Sequence, residues 1–199
     1  SGTVKAIEKR ENVLGTTDLS IVVTNDGQYT LTEGVGAEVD PTTLTTQEIL
    51  AKVKAAGIVG LGGAGFPTHV KLAPKDPTAI KYVIANGAEC EPYITCDDQL
   101  MRNYADEIVG GLKIMLQLFP NAEGVVLIEE NKPEAIAAVQ KVCSNENNIH
   151  VHPVHVKYPQ GGERAIMDVV AGKHIKLGML PADVGCVVDN VATVRAIYR

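Results

Sequence analysis

Lys81-Tyr82-Val83-Ile84-Ala85 is an apolar run of strand length, and it is followed over residues 103–119 by apolar side chains at helical spacing (Ile108, Leu112, Met115, Leu116, Phe119) that stop at Pro120. Val125-Val126-Leu127-Ile128 is a second buried-strand run. Asn131-Lys132-Pro133-Glu134 opens another helix, with proline at the first helical position where its missing amide costs nothing, and that helix runs to about Ser144. Strand, helix, strand, helix, with strands apolar throughout, predicts an α/β fold with a mainly parallel sheet covered by helices. Toward the C-terminus, residues 149–156 alternate like a strand, 163–171 read as helix, and Gly185-Cys186-Val187-Val188 leads through Asp189-Asn190 into a last helix. Toward the N-terminus, Thr45-Thr46-Gln47-Glu48 is a capping box, and its helix runs to Gly57. Residues 1–42 are rich in Val, Thr and Gly. Their β-like runs (residues 3–7 and 20–23) and the turn Asn25-Asp26-Gly27 predict a small β segment ahead of an α/β domain at 43–199.

Composition narrows the function. A net charge of −6 with Lys and Arg scattered singly gives no basic stripe for a phosphate backbone, and the absence of tryptophan argues against a base-stacking platform, so nucleic acid is not an expected partner. No run approaches the roughly 18 apolar residues that span a bilayer, so no direct membrane insertion is expected. Cys90, Cys96, Cys143 and Cys186 form no Cys-x-x-Cys pair, which argues against a zinc ribbon or an iron–sulfur site within these residues and fits reduced thiols in a cytoplasm.

Gly60-Leu61-Gly62-Gly63-Ala64-Gly65-Phe66-Pro67-Thr68 exposes backbone amides and lets a ligand approach the main chain where a Cβ would obstruct it. A phosphate or a flavin ring suits that geometry. Gly60, Gly62 and Gly65 satisfy Gly-x-Gly-x-x-Gly literally, but a helix precedes the loop and Phe66-Pro67 follows it, which is not the dinucleotide fingerprint. No Gly-Lys-Ser/Thr ends it, so it is not a Walker loop; taken alone it is equally an ordinary glycine-rich connection. Asn86-Gly87-Ala88-Glu89-Cys90-Glu91-Pro92 then falls at the carboxyl end of a strand, where open α/β sheets present binding residues. Asn86 both donates and accepts, and Glu89 and Glu91 accept from hydroxyls or a carboxamide; solvated carboxylates are the alternative.

Residues 60–71, 86–98, 157–163, 180–185 and 189–193 together resemble the flavin site shared by the NADH-oxidising subunit of respiratory complex I and the RnfC subunit of Rnf-type electron-transport complexes. The wording of Glu89-Cys90-Glu91-Pro92-Tyr93-Ile94-Thr95, of Lys157-Tyr158-Pro159-Gln160-Gly161-Gly162-Glu163 and of residues 180–185 is closer to RnfC. The resemblance implies a Rossmann-like sheet of the complex I FMN-binding type, with residues 1–42 a remnant of a barrel- or sandwich-like domain. It implies FMN held by Gly60, Gly62, Gly63, Gly65, Lys71, Asn86, Glu89, Cys90, Tyr158, Gly161, Gly162, Asp189, Asn190 and Thr193. The phosphate would lie near Asn190 and Thr193 at a helix start and the ring against the glycine loop and Tyr158. NADH would lie over the flavin with Phe66 near the adenine and Glu91 and Glu163 on the nucleotide. The cofactor would do the chemistry, without a catalytic acid or base from the protein. Two 4Fe–4S clusters are expected beyond residue 199, so the chain reads as a piece of a longer protein, cytoplasmic and peripheral to the membrane, whose partners are the other subunits of an Rnf-type complex coupling NADH and ferredoxin redox chemistry to ion transport. Ala88 and Ala192 stand where complex I relatives carry acidic residues, and Cys90 where they carry serine.

Other signals carry less. His150 and His152 share a strand face, but without a convergent carboxylate or thiolate that pattern is an ordinary solvated face, and no metal site is expected. A cobalamin reductase-type flavoprotein shares the glycine loop and the Glu-Cys-Glu-Pro region, and a scaffold domain that has lost its flavin is the reading from a different class.

Overall fold

The computed structural model describes residues 1–199 except Val13, Val35 and Leu177. The chain divides into two units, Ser1–Val39 and Asp40–Arg199. In the first, β1 (Gly2–Glu11) and β2 (Thr17–Asn25) form an antiparallel hairpin. Between the strands, Asn12 Oδ1 accepts from the amides of Leu14 (2.9 Å) and Thr16 (3.2 Å). The Asn25-Asp26-Gly27 turn forms as well, with Gly27 N donating to Asn25 Oδ1, but it follows β2 instead of joining the strands.

In the second unit, β3 (Tyr82–Gly87), β4 (Glu123–Glu129), β5 (Ile149–Val154) and β6 (Cys186–Asn190) form a four-stranded parallel sheet in the order β5-β4-β3-β6. Around it lie α1 (Thr46–Ala55), α2 (Thr68–Lys71), α3 (Cys96–Asn103), α4 (Ala105–Leu116), α5 (Pro133–Cys143), α6 (Glu163–Ala171) and α7 (Val191–Tyr198). Both faces of the sheet are buried at β3, β4 and β6. Val83, Ala85, Val126, Ile128 and Val187 join one core with apolar residues of α1, α3, α4, α5 and α7. Ile84, Val125, Leu127, Cys186 and Val188 join a second with Ile166 and Met167 of α6. That two-sided burial is why β3, β4 and β6 read as apolar runs, while the edge strand β5 alternates.

The helix expected over 103–119 forms as α4, two to three residues shorter at each end. Tyr104, which leaves helical geometry (φ −138°, ψ 37°), separates α4 from α3, an element the sequence does not announce. A glycine pair in α4 lets α7 lie against it: a Cβ on Gly111 would overlap the Val194 carbonyl. Arg195 of α7 bonds Glu107 at 2.7 Å and stacks 3.8 Å over the Tyr104 ring, so the end of α3 and the start of α4 are tied to α7.

The connectivity places the site. The chain winds outward from β3 through β4 to β5 and then returns to the opposite side of β3 as β6. A switch point therefore opens between β3 and β6 at their carboxyl ends, the position where parallel sheets hold ligands.

Candidate functional site

Asn86 and Asn190 are register neighbours across the switch point. Asn190 caps α7, its Oδ1 accepting from Ala192 N at 2.8 Å, while its Nδ2 donates to Asp97 Oδ2 at 2.6 Å. Asn86 Nδ2 donates to the Gly161 carbonyl at 3.0 Å, and its Oδ1 accepts from Ala88 N at 3.1 Å. Gly161 lies so close that a Cβ there would overlap the Ala88 carbonyl and sit 3.7 Å from Cys90 Sγ. Asn86, Cys90 and Gly161 are thus gathered at the end of β3.

The glycine loop meets α7 from the other side. Val59 bridges Pro67, and Gly60 N donates to the Phe66 carbonyl at 2.8 Å, closing the loop at its base. Leu61 N donates to the buried Thr193 hydroxyl at 2.9 Å, and a Cβ on Gly62 would lie 3.2 Å from Asn190 Cβ. Gly63 has a φ of +117° and Gly65 of +61°, which L side chains rarely adopt. Among the described residues the amides of Gly62, Gly63 and Ala64 have no hydrogen-bond partner, so the crown of the loop holds three unspent donors beside a helix N-terminus.

Glu89 points inward. Only 6% exposed, it accepts from the amides of Asp97 (2.9 Å) and Asp98 (3.2 Å) and from Cys96 Sγ (3.2 Å), which makes it the cap of α3. That hydrogen bond to the carboxylate raises the Cys96 thiol above its usual range, and burial raises Asp97. Cys90 Sγ lies 3.8 Å from Glu91 Oε2, and Glu91 itself is exposed. Tyr158 is also exposed, and Gly162 occupies the N-cap position of α6.

Lys71 ends α2 and reaches β6. Its Nζ donates to the Val188 carbonyl at 2.7 Å and stands 3.5 Å from Asp189 Oδ1 and 3.6 Å from Glu163 Oε1. The Asp189 side chain is 1% exposed and its Oδ2 has no hydrogen-bond partner. Burial pushes its carboxyl up to about 6, against the pull of Lys71. A cavity of about 640 Å³ opens beside this group, with Ala64, Phe66, Lys71, Glu163, Leu180 and Val188 in its wall. Phe66 and Leu180 are exposed there, so the cavity wall combines apolar side chains with the charged Lys71, Lys75, Asp76, Glu163 and Asp183.

Most of the anticipated residues therefore fall into three groups: the glycine loop with Asn190 and Thr193; Asn86, Cys90 and Gly161; and Lys71, Asp189, Glu163 and Phe66 at the cavity; Glu89 is instead spent on α3, Glu91 and Tyr158 are exposed, and Gly162 starts α6. Asp97, whose carboxylate fixes the Asn190 amide, was not singled out; its signal was the acidic pair at the first turn of a helix that the sequence did not announce. Glu129, at the end of β4, was also missed. It is 1% exposed with Oε1 unpartnered, and burial raises its carboxyl. His155 contacts Glu130 at 2.9 Å, at the far edge of the sheet. Among the described residues no helix is long and apolar enough to cross a membrane.

Residues 53–199 match the model of the Nuo51 FMN-binding domain. The chain is 40% identical over 197 residues to a subunit of the Na(+)-translocating ferredoxin:NAD(+) oxidoreductase complex of Acetobacterium woodii, covering 99% of this chain and 44% of that protein. It is 42% identical over 178 residues to the corresponding subunit of the proton-translocating ferredoxin:NAD(+) oxidoreductase complex of Clostridium ljungdahlii, covering 89% and 39% respectively. With the corresponding subunit of the ion-translocating oxidoreductase complex of Vibrio cholerae the identity is 39% over 201 residues, 100% of this chain and 26% of that protein. All three relatives are of the RnfC type. The chain thus spans less than half the length of these relatives. Among solved structures, an NAD+-reducing NiFe-hydrogenase in its air-oxidized state shares the fold over 80% of this chain and 30% of that one, with a TM-score of 0.64 and 25% identity.

Proposed function

Because the chain belongs to the Nuo51 FMN-binding domain family, we propose that it is the flavin-binding, NADH-oxidising electron-transfer module of an Rnf-type ion-translocating complex. Three unspent amides on the glycine loop stand next to the capped start of α7 at the β3–β6 switch point, and that pairing carries the proposal. FMN fits this donor set. Its phosphate needs several N–H groups and the positive end of a helix dipole, which Gly62, Gly63, Ala64 and the first turn of α7 offer. Its ring needs bare backbone to lie on, which Gly60 to Gly65 provide. Bound there, FMN would accept hydride from NADH and pass electrons on singly.

The protein's part is positioning. Asn86 and Gly161 fix the backbone at the end of β3, and Asp97 holds the Asn190 amide while Glu89 holds α3 beneath it. Lys71 supplies a cation at the end of β6. The cavity beside Lys71 would take the nicotinamide nucleotide, with Phe66 against the adenine and Glu163, and Glu91 at the loop, on its hydroxyls; the volume of about 640 Å³ lies within the range of small-molecule sites. Holding donor and acceptor face to face in a dry crevice is the catalytic contribution. The iron–sulfur clusters that take the electrons and the subunits that couple them to ion transport lie outside residues 1–199, and the module works on the cytoplasmic side of the membrane.

An anaerobic visible spectrum tests this directly. After mixing with FMN and desalting, the protein retains flavin absorbance, and NADH bleaches it. Retained flavin that NADH leaves oxidised contradicts the nucleotide part of the proposal, and a folded protein that retains no flavin contradicts all of it.

A further inference from the structure

Lys71 is the one basic side chain among the described residues that contacts Val188 and Asp189 at the end of β6, and the groups around it are unequal. Glu163, at the start of α6, has a side chain 49% exposed and is free to move in water. Asp189 is fixed in the strand, 1% exposed, with one carboxylate oxygen facing the Lys71 ammonium and the other without a partner. A carboxylate buried in this way is costly to the fold, because it is stripped of water and only half satisfied. The Val188 carbonyl, one residue earlier, receives a hydrogen bond from the same ammonium at 2.7 Å. Lysine has a long flexible stem, and a cation on such a stem is held only where several partners converge.

We propose that Asp189 is a positioning residue that acts through Lys71, pinning the ammonium at the carboxyl end of β6 so that it meets the anionic part of the bound flavin nucleotide as a fixed charge. This rests on the FMN reading above. Asp189 does not touch the ligand in this role; it holds the residue that does. Lys71 from α2, Glu163 from α6 and Asp189 itself are the charged groups in contact, so protonation of Asp189 loosens the arrangement from the strand side, leaving Lys71 to Val188 and to the solvent-exposed Glu163.

The test uses the full chain labelled with 13C at the lysine ε-carbon, as wild type, Asp189→Asn, Glu163→Gln, Lys71→Met and the Lys71→Met/Asp189→Asn double variant, with FMN affinity measured by fluorescence between pH 5 and 8. The resonance missing in Lys71→Met assigns Lys71. In the wild type it titrates with a midpoint near 6, the value to which burial pushes Asp189. Asp189→Asn abolishes that step and Glu163→Gln keeps it. At pH 8 Asp189→Asn binds FMN about tenfold more weakly than the wild type, the loss from one charge-assisted hydrogen bond. The two converge at pH 5, and in the Lys71→Met background the same substitution causes no loss. A carboxylate acting only through its own charge would repel the phosphate, so its removal would tighten FMN binding in both backgrounds and overturn the proposal. So would a Lys71 resonance that titrates identically in Asp189→Asn. If the wild type binds no FMN, the cofactor reading falls, while the Lys71 resonance still decides whether Asp189 holds the lysine.

Discussion

Thr193 is fully buried on α7, and its hydroxyl accepts the Leu61 amide, among the described residues the one side-chain bond tying the glycine loop to that helix. Thr193→Val keeps the shape and removes the acceptor, leaving the part-buried Leu61 amide without it. We expect a loss of about 0.5–1.5 kcal/mol in urea unfolding and roughly severalfold weaker FMN binding, the net worth of one hydrogen bond. Unchanged values in both would separate the loop from the helix. Asp189 gives a pH signature of its own. Its carboxyl ordinarily loses its proton near 3.8 and in the fold near 6, so the native state holds the proton more tightly than the unfolded chain. The stability this contributes is complete below 3.8 and is lost as the pH rises through about 6. Relative to Asp189→Asn, which does not titrate, the wild type should therefore lose on the order of 2–3 kcal/mol between pH 4 and 7.5. Parallel stability curves for the two proteins would contradict the burial of a free carboxyl. Neither prediction was available from sequence. The glycine loop and the polar residues at strand ends were legible because their chemistry is local. What Asp189 touches depends on α2 being folded over β6, more than a hundred positions earlier in the chain, and no spacing rule reports that.

At the level of elements the same distinction holds. Thr45 and Glu48 form the capping box their spacing announces, with Thr45 N donating to Glu48 Oε2 at 2.8 Å and Glu48 N donating to Thr45 Oγ1 at 3.3 Å. α3 escaped notice because its N-terminus is satisfied by Glu89, a carboxylate eight and nine positions before the amides from which it accepts, and because its own residues are mostly polar. α4 was legible because its apolar residues Ile108, Leu112 and Met115 recur at helical spacing. The contact of α4 with α7 was invisible, since it depends on what glycine lacks. Gly111→Ala, a change that would stabilise an isolated helix, must here push α7 away from α4. We expect it to destabilise by roughly 1–3 kcal/mol, the usual cost of overpacking, and to weaken FMN binding because α7 carries Asn190 and Thr193. Denaturant titration checks the first, and a stabilised variant would show that the helices do not approach as described.

For the molecule as a whole, the apolar runs at β3, β4 and β6 were enough to announce a parallel sheet, since strands buried on both faces cannot alternate. The order β5-β4-β3-β6 was not readable, because a strand carries no mark of its neighbour. That order makes the site: with β6 beside β3, the glycine loop, the start of α7 and the Asn86 loop converge on one crevice, whereas with β6 beyond β5 they would be separated by the width of the sheet. The small antiparallel hairpin at the N-terminus belongs to the other unit, and both hydrophobic cores lie within Asp40–Arg199. Whether this crevice holds a flavin through its phosphate is tested most directly by calorimetric titration of the flavin-free protein with FMN and, separately, with riboflavin. We predict one FMN per chain, bound at least roughly tenfold more tightly than riboflavin, as two or more charge-assisted hydrogen bonds to a phosphate require. Equal affinities for the two flavins, or no binding of FMN by the folded protein, would contradict it.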